Sequence, residues 1–477
     1  MERNRIMLLG LAAGLTLPLS LMAQKRQYTN FIVILMDDMG YGDLGCTGAV
    51  GYRTPRIDRM AAEGIRFTRY YAPQAVSGAS RAGLMTGCYP NRISMPGAPS
   101  HTSRRGIHPD EETIAEVLKK QGYACAAYGK WHLGHLTEFL PLRNGFDEFY
   151  GIPYSNDMWP NHPTGKYPDL PLIEGEETVA LNPDQTRFTA DFTDRAIRFI
   201  EENRRKPFFI YLAHPMPHVP LAPSEQFRGS SEQGTYGDVM QEIDWNVGRI
   251  LDKLEKEGLE KNTLVVLTSD NGPWLNYGNH AGTTGGLREG KGVSYEGGQR
   301  VPCIIQWKGH VPEGTICNEM ASGIDLLPTF AAIAGAPLPE KKIDGVDITP
   351  LILGEEGAAP RKEFYYYYGR NNLEAVSDGR FKLVFPHPHR TYEGFLPGCD
   401  GKPGKVATRQ LQERELFDLR RDPGERYNAI DLYPEVVERL EAMAAEARAD
   451  LGDDLTRVKG SGVRPCGIVP KQPTSEE

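Results

Sequence analysis

Several stretches of the chain are apolar without alternation. Asn30–Met36, Phe208–Leu212 and Leu264–Ser269 read as strands buried on both faces, the pattern of a parallel sheet. Ile65–Ala72 and Tyr123–Tyr128 read as further strands. Segments of helical spacing lie between them: Thr54–Gly64, with Pro55 at its start and Gly64 at its end, then Thr113–Gly122, Phe188–Glu202 and Asp238–Gly258. Strands alternating with helices predict an α/β fold, a large, mostly parallel sheet sandwiched by helices. From Arg143 to Asn182 the chain is rich in Gly, Pro, Tyr and Asn, which predicts long loops able to carry substrate contacts.

The pattern changes after Phe364. Phe364–Tyr368, Ala375–Val376, Phe381–Phe385 and Glu415–Leu419 are short β segments separated by turns, and Pro434–Leu451 is an amphipathic helix. This predicts a smaller C-terminal α+β domain with an antiparallel sheet. The boundary falls near Glu355, giving one domain over 24–355 and a second over 356–477. No internal repeat is evident.

The length of 477 residues agrees with two domains, and 40% apolar with 25% charged residues is ordinary for a globular protein. A net charge of -9 gives no reason to expect nucleic acid or an anionic membrane as partner, but a local basic pocket could still take an anionic substrate. Arg3 and Arg5 precede an apolar run from Ile6 to Ala23 that is broken by Pro18. This reads as a cleavable signal peptide over residues 1–23, so the protein is expected to be exported, periplasmic or secreted, without stable membrane insertion. Seven cysteines form no Cys-x-x-Cys pair, and the odd number leaves at least one free or intermolecular. Cys399 and Cys466 lie in loop-like stretches and are expected to pair.

Candidate chemistry gathers where strands end. Asp37 and Asp38 follow the first strand, and Asp270 and Asn271 follow Leu264–Ser269. Ligands of open α/β sheets bind at such carboxyl ends. Three carboxylates and an amide form a hard-oxygen set suited to Ca2+ or Mg2+, with Ca2+ favoured for its irregular shell. The aspartates also read as ordinary turn residues. Lys130 and His132 alternate beyond a strand and would share a face. His214 and His218 stand in a proline-stiffened segment, and Lys291 stands in a glycine-rich loop over 285–298, where a solvated lysine is the plainer reading. Ser77–Gly87 is rich in small residues, with Arg81 one turn after Ser77. It reads equally as an anion site at a helix start and as a Ser N-cap before a buried helix.

That last stretch also resembles a known signature, that of the formylglycine-dependent sulfatases: Cys or Ser, any residue, Pro or Ala, Ser, Arg, two variable residues, Leu, any residue, Thr, Gly. Every fixed position is matched from Ser77 through Gly87. The paired aspartates, Gly129–Gly134, the Pro-His-x-Pro stretch around His218 and the loop carrying Lys291 resemble further motifs of the family, in the family's order. Gly285–Gly292 and Tyr295–Gly298 resemble the arylsulfatase A and N-acetylgalactosamine-6-sulfatase branch most. The resemblance implies an alkaline phosphatase-like fold and a sulfuric ester hydrolase. It further implies one Ca2+ held by Asp37, Asp38, Ser77, Asp270 and Asn271, with catalytic roles for Ser77, Arg81, Lys130, His132, His218 and Lys291.

In the family the first signature residue is oxidised to formylglycine, whose hydrate supplies the nucleophile. Arg81, Lys130 and Lys291 would then neutralise the sulfuryl oxygens, His218 or Lys291 would protonate the leaving alcohol, and His132 would help the second hydroxyl expel sulfate. Ser at position 77, in place of the commoner Cys, implies as partner a sulfatase-maturating enzyme of the oxygen-independent radical type. The resemblance and the export signal together imply exo-acting removal of sulfate from a galactose or N-acetylgalactosamine residue of a glycan. Two other readings stay open: a phosphoesterase of the same superfamily using unmodified Ser77, and a non-catalytic sulfated-glycan-binding protein.

Overall fold

In the computed structural model, which describes residues 28–471, ten strands form one sheet. Its centre is parallel, in the order Thr263–Ser269, Asn30–Met36, Phe208–Ala213, Ala124–Lys130 and Glu148–Ile152. Strand Arg300–Gln306 runs antiparallel between Thr263–Ser269 and Ile65–Tyr71, and Thr315–Ser322 closes that side parallel to Ile65–Tyr71. The other edge is antiparallel, through Pro171–Glu174 and Glu177–Leu181. The predicted signal segment, 1–23, lies outside the described residues.

The first strand shows why its run does not alternate. Phe31, Val33 and Leu35 enter one apolar core, with Phe330 of helix Leu326–Ala334 and with Ala82 and Leu84 of helix Ser77–Thr86. Ile32, Ile34 and Met36 enter a second core, with Ile57, Phe192 and Ile243 of helices Pro55–Ala62, Phe188–Asn203 and Thr235–Lys256. Both faces of the strand are covered, so apolar residues are needed at every position.

The C-terminal part forms a four-stranded antiparallel sheet, in the order Phe364–Tyr368, Asn372–Ser377, Phe381–Val384 and Glu415–Asp418. Helix Pro434–Leu451 lays Leu440, Ala444 and Leu451 on it. Among the described residues no helix is long and apolar enough to cross a membrane.

Two expectations are corrected. The segment 143–182 is not loop throughout: Glu148–Ile152, Pro171–Glu174 and Glu177–Leu181 extend the large sheet. These strands are four or five residues long, and the last is mostly exposed, too little for an apolar signature. Cys399 and Cys466 do not pair, and all seven cysteines are free. Cys399 is exposed in a turn that pairs with Lys402, whereas Cys466 is buried beside Gly467, whose strand pairs with Arg105–Gly106.

Candidate active site

The carboxyl ends of the central parallel strands bring the candidate residues together. Met36 pairs with Ser269 in register, so Asp37 and Asp38 leave one strand beside Asp270 and Asn271 leaving the next. The Asp38 N–H donates to Asp270 Oδ1 at 3.2 Å, and Asn271 Nδ2 donates to Asp38 Oδ1 at 2.7 Å. Lys130 is the last residue of its strand, and His132 follows two positions on. Asp38 and His132 both have left-handed backbones, with φ of 65° and 62°. Such conformations cost on the order of 1–3 kcal/mol each in non-glycine residues and gather at functional sites.

Ser77 opens helix Ser77–Thr86, which ends on Gly87 at φ 67°. One turn along, Arg81 Nε donates at 2.9 Å both to Ser77 Oγ and to Asp270 Oδ2, while its Nη1 donates to the Lys130 carbonyl at 2.8 Å. Arg81 Nη2 lies 2.8 Å from Asp270 Oδ2 and 3.6 Å from Asp37 Oδ2. Lys130 Nζ donates to Asp37 Oδ2 at 2.5 Å and to Ser155 Oγ at 3.2 Å. Lys291 Nζ pairs with Asp38 at 2.8 Å and lies 4.4 Å over the Trp274 ring. Asp37, Asp38, Ser77, Arg81, Lys130, His132, His218, Asp270, Asn271 and Lys291 thus form one connected, buried cluster.

The histidines are distinguished by their partners. His132 Nε2 lies 3.0 Å from the Pro99 carbonyl, and its Nδ1 lies 3.3 Å from Ser77 Oγ. A carbonyl can only accept, so the neutral ring carries its proton on Nε2 and turns a bare Nδ1 toward Ser77. Burial, then Lys130 and Arg81, hold the His132 pKa well below the usual value, which favours that neutral form. His218 gives Nδ1–H to the Val219 carbonyl at 2.5 Å, and its Nε2 lies 3.6 Å from Asp38 Oδ2. His214 is fully buried with both ring nitrogens unpartnered, and burial pushes its pKa down to about 3. It belongs to the interior and not to the cluster.

The charges of the cluster decide its chemistry. Burial pushes the Asp37 pKa up, but Lys130, His218 and Arg81 override it and hold the group below its usual value. For Lys291, burial is outweighed by Asp38 and Asp37, which raise its pKa. Burial dominates at Lys130 and lowers its pKa despite Asp37. Three cations therefore face three carboxylates. Asp37 Oδ1 and Asn271 Oδ1 are buried without a hydrogen-bond partner, and Asp37, Asp38 and His218 each present an atom within 4.8 Å of the others. Unpaired buried oxygens beside a carboxylate pair fit a hard divalent cation.

Two neighbours were not foreseen. Ser155 touches Lys130, and Trp274 lies beneath Lys291. The loop-rich composition around Ser155 was the signal for the first. Trp274, three residues past Asn271, carried none.

Comparison with known proteins gives a consistent result. The family model described as Sulfatase matches residues 29–336, and that for the C-terminal region of aryl-sulfatase matches residues 360–468. A further model, N-sulphoglucosamine sulphohydrolase, C-terminal, matches residues 290–385. Arylsulfatase A of Homo sapiens is 37% identical over 475 residues, covering 93% of this chain and 90% of that protein. N-acetylgalactosamine-6-sulfatase of Mus musculus is 36% identical over 463 residues, covering 90% and 88%. A solved sulfatase from Pseudoalteromonas sp. matches with a TM-score of 0.77 at 26% identity, covering 88% of this chain and 91% of that one.

Proposed function

The chain belongs to the sulfatase family and is a sulfuric ester hydrolase, and from that premise we propose that it removes sulfate, exo-acting, from a galactose or N-acetylgalactosamine residue of a sulfated glycan. Ser77, matured to formylglycine by a sulfatase-maturating enzyme, is the reacting residue. Export through the segment 1–23 is part of the same reading. The observation that carries it is the placement of Ser77 Oγ, between Arg81 Nε at 2.9 Å and His132 Nδ1 at 3.3 Å.

Asp37, Asp38, Asp270 and Asn271, with residue 77, would hold one Ca2+. The free Oδ1 atoms of Asp37 and Asn271 support this set. Bound there, the ion would supply positive charge for the sulfuryl oxygens, and the formylglycine hydrate would supply the nucleophile.

The chain's own groups do the rest. Three carboxylates already balance Arg81, Lys130 and Lys291, so the protein alone offers little net charge to an anion, and a divalent cation held by Asp37, Asp38, Asp270 and Asn271 would supply the missing positive charge. Arg81, Lys130 and Lys291 donate to the sulfuryl oxygens as charge builds, from positions fixed beforehand by their pairs with Asp270, Asp37 and Asp38. His132, with Nδ1 bare, accepts a proton from the hydroxyl at residue 77. His218 keeps Nδ1–H on Val219, so a proton on Nε2 is the one it can give to the leaving alcohol oxygen, and Lys291 is the other candidate donor.

The test is release of inorganic sulfate from a panel of defined galactose and N-acetylgalactosamine sulfates, run beside the matching phosphate esters. Sulfate release from the sugars supports the proposal. Turnover confined to phosphate esters would favour a Ser77 phosphoesterase, and binding without turnover a glycan-binding protein.

A further inference from the structure

Two buried polar atoms stand unpaired beside the cluster. Asp157 Oδ1 accepts no hydrogen bond, and Trp274 Nε1 donates none. A buried polar group without a partner costs roughly 1–3 kcal/mol, and folded proteins keep few of them. Here an acceptor and a donor stand near the same two groups, His218 and Lys291, which border Trp274 and whose charges act on Asp157. Trp274 lies under Lys291 Nζ at 4.4 Å and 5.5 Å from the His218 ring, with the Tyr277 ring at 4.8 Å.

Asp157 is held in place by its own loop. Asn156 Nδ2 donates to Gln185 Oε1 at 3.0 Å, Gln185 Nε2 donates to the Asn156 backbone carbonyl at 3.1 Å, and Ser155 is tied to Lys130 at 3.2 Å. Asp157 Oδ2 lies 3.8 Å from His162 Nε2, so one carboxylate oxygen has a neighbour and the other is free. Burial opposes its charge, but His218, then Ser155, Lys291 and Lys130 outweigh burial and keep it ionised, which places it in the same electrostatic field as the sulfate-binding groups.

We propose that Asp157 and Trp274 form a saccharide-reading subsite, in which Asp157 Oδ1 accepts a hydroxyl of the sugar that bears the sulfate and Trp274 Nε1–H donates to a neighbouring oxygen of the same residue. A sugar hydroxyl both donates and accepts, so a pyranose matches this pair as an aryl ring does not. Asp157 also sets a limit, because a second sulfate or a uronate at that position would meet an ionised carboxylate. The inference rests on the glycan reading above.

The test compares wild type, Asp157→Asn and Trp274→Phe. Each is assayed for kcat/KM on galactose and N-acetylgalactosamine sulfates and on nitrophenyl sulfate, which carries no hydroxyls to read. We expect the ratio of sugar to aryl kcat/KM to fall about tenfold or more in each variant, chiefly through KM. Equal loss on both substrate types, or an unchanged ratio, overturns the subsite. If wild type cleaves nitrophenyl sulfate but none of these sugars, the galactose reading alone has failed. The subsite is then judged by saturation-transfer NMR on a panel of other neutral and sulfated saccharides. Loss of saccharide signal in both variants supports it, and signal equal to wild type overturns it.

Discussion

Lys130 Nζ donates to Asp37 Oδ2 with both side chains fully buried, while the other oxygen of Asp37 has no partner. The carboxylate thus has one oxygen on the chain's own cation and one available to a metal. Lys130→Ala removes a charge proposed to bind sulfate and leaves Asp37 short of its partner. We expect kcat/KM to fall by roughly 10²–10³. Without calcium, the lost pair should cost on the order of 3–5 kcal/mol, since one buried charge stays uncompensated. Melting in calcium and in chelator should therefore show a larger calcium-dependent gain in the variant than in wild type, and equal gains would count against this arrangement.

Asp270 ties Arg81 to the Asp38 backbone. Asp270→Ala should abolish sulfate release and lower the calcium that elemental analysis finds in the purified protein, with circular dichroism close to wild type. Retained calcium would remove Asp270 from the proposed ligand set.

Arg92 joins distant parts of the chain. It is paired with Asp344 at 2.6 Å and with Asp450 at 2.6 Å, and its own side chain is buried. Arg92→Ala should destabilise by roughly 3–5 kcal/mol in urea unfolding near neutral pH. The hydrogen bond from Arg92 pulls Asp450 down to about 2 from an unfolded value of 3.8, against burial and with help from Lys342. A lowered carboxylate contributes stability above its unfolded pKa and loses it as pH falls toward the folded one. The gap between wild type and variant should therefore narrow below about pH 4. A gap that stays constant would show that the Asp450 pair contributes nothing.

Glu374 gives the opposite pH dependence. It is buried in strand Asn372–Ser377, with His387 Nε2 at 3.4 Å, and burial raises its pKa from 4.5 to about 8 despite hydrogen bonds that lower it. The folded state binds this proton more tightly than the unfolded one, so stability is full below about pH 4.5 and is lost as pH rises through about 8. Glu374→Gln has no proton to lose. Its melting temperature relative to wild type should climb between about pH 5 and pH 9, by an amount on the order of a few kcal/mol in stability. Parallel melting curves would contradict the assignment.

How much of this could be read from the sequence depends on the range of the signal. The run Asn30–Met36 announces a doubly buried strand, and Asp37 and Asp38 announce its end. That Met36 pairs with Ser269 cannot be read locally, because 233 residues separate the partners and only the assembled sheet joins them. Motif resemblance supplied that long-range grouping for Ser77, Lys130, His132, His218 and Lys291. His214 and His218 share one proline-rich segment and both are buried, so only their partners in the assembled fold tell the unpartnered interior ring from the one facing Asp38. Asp157 and Trp274 are single residues in irregular backbone, where no periodicity marks a side chain's direction. Cys399 and Cys466 look alike in sequence and differ in burial.

The central claim is that residue 77 reacts as formylglycine. Arg81 and His132 both contact its Oγ, so the position is poised for chemistry whichever form it takes. The measurement is peptide mass spectrometry across Tyr71–Arg81 of protein purified from its native host, with sulfate release assayed on the same preparation. Formylglycine predicts loss of two hydrogens at Ser77 in proportion to activity, and folded but weakly active protein from a host without the radical maturase. Fully active protein with an unmodified Ser77 would contradict the claim and favour direct attack by the serine hydroxyl.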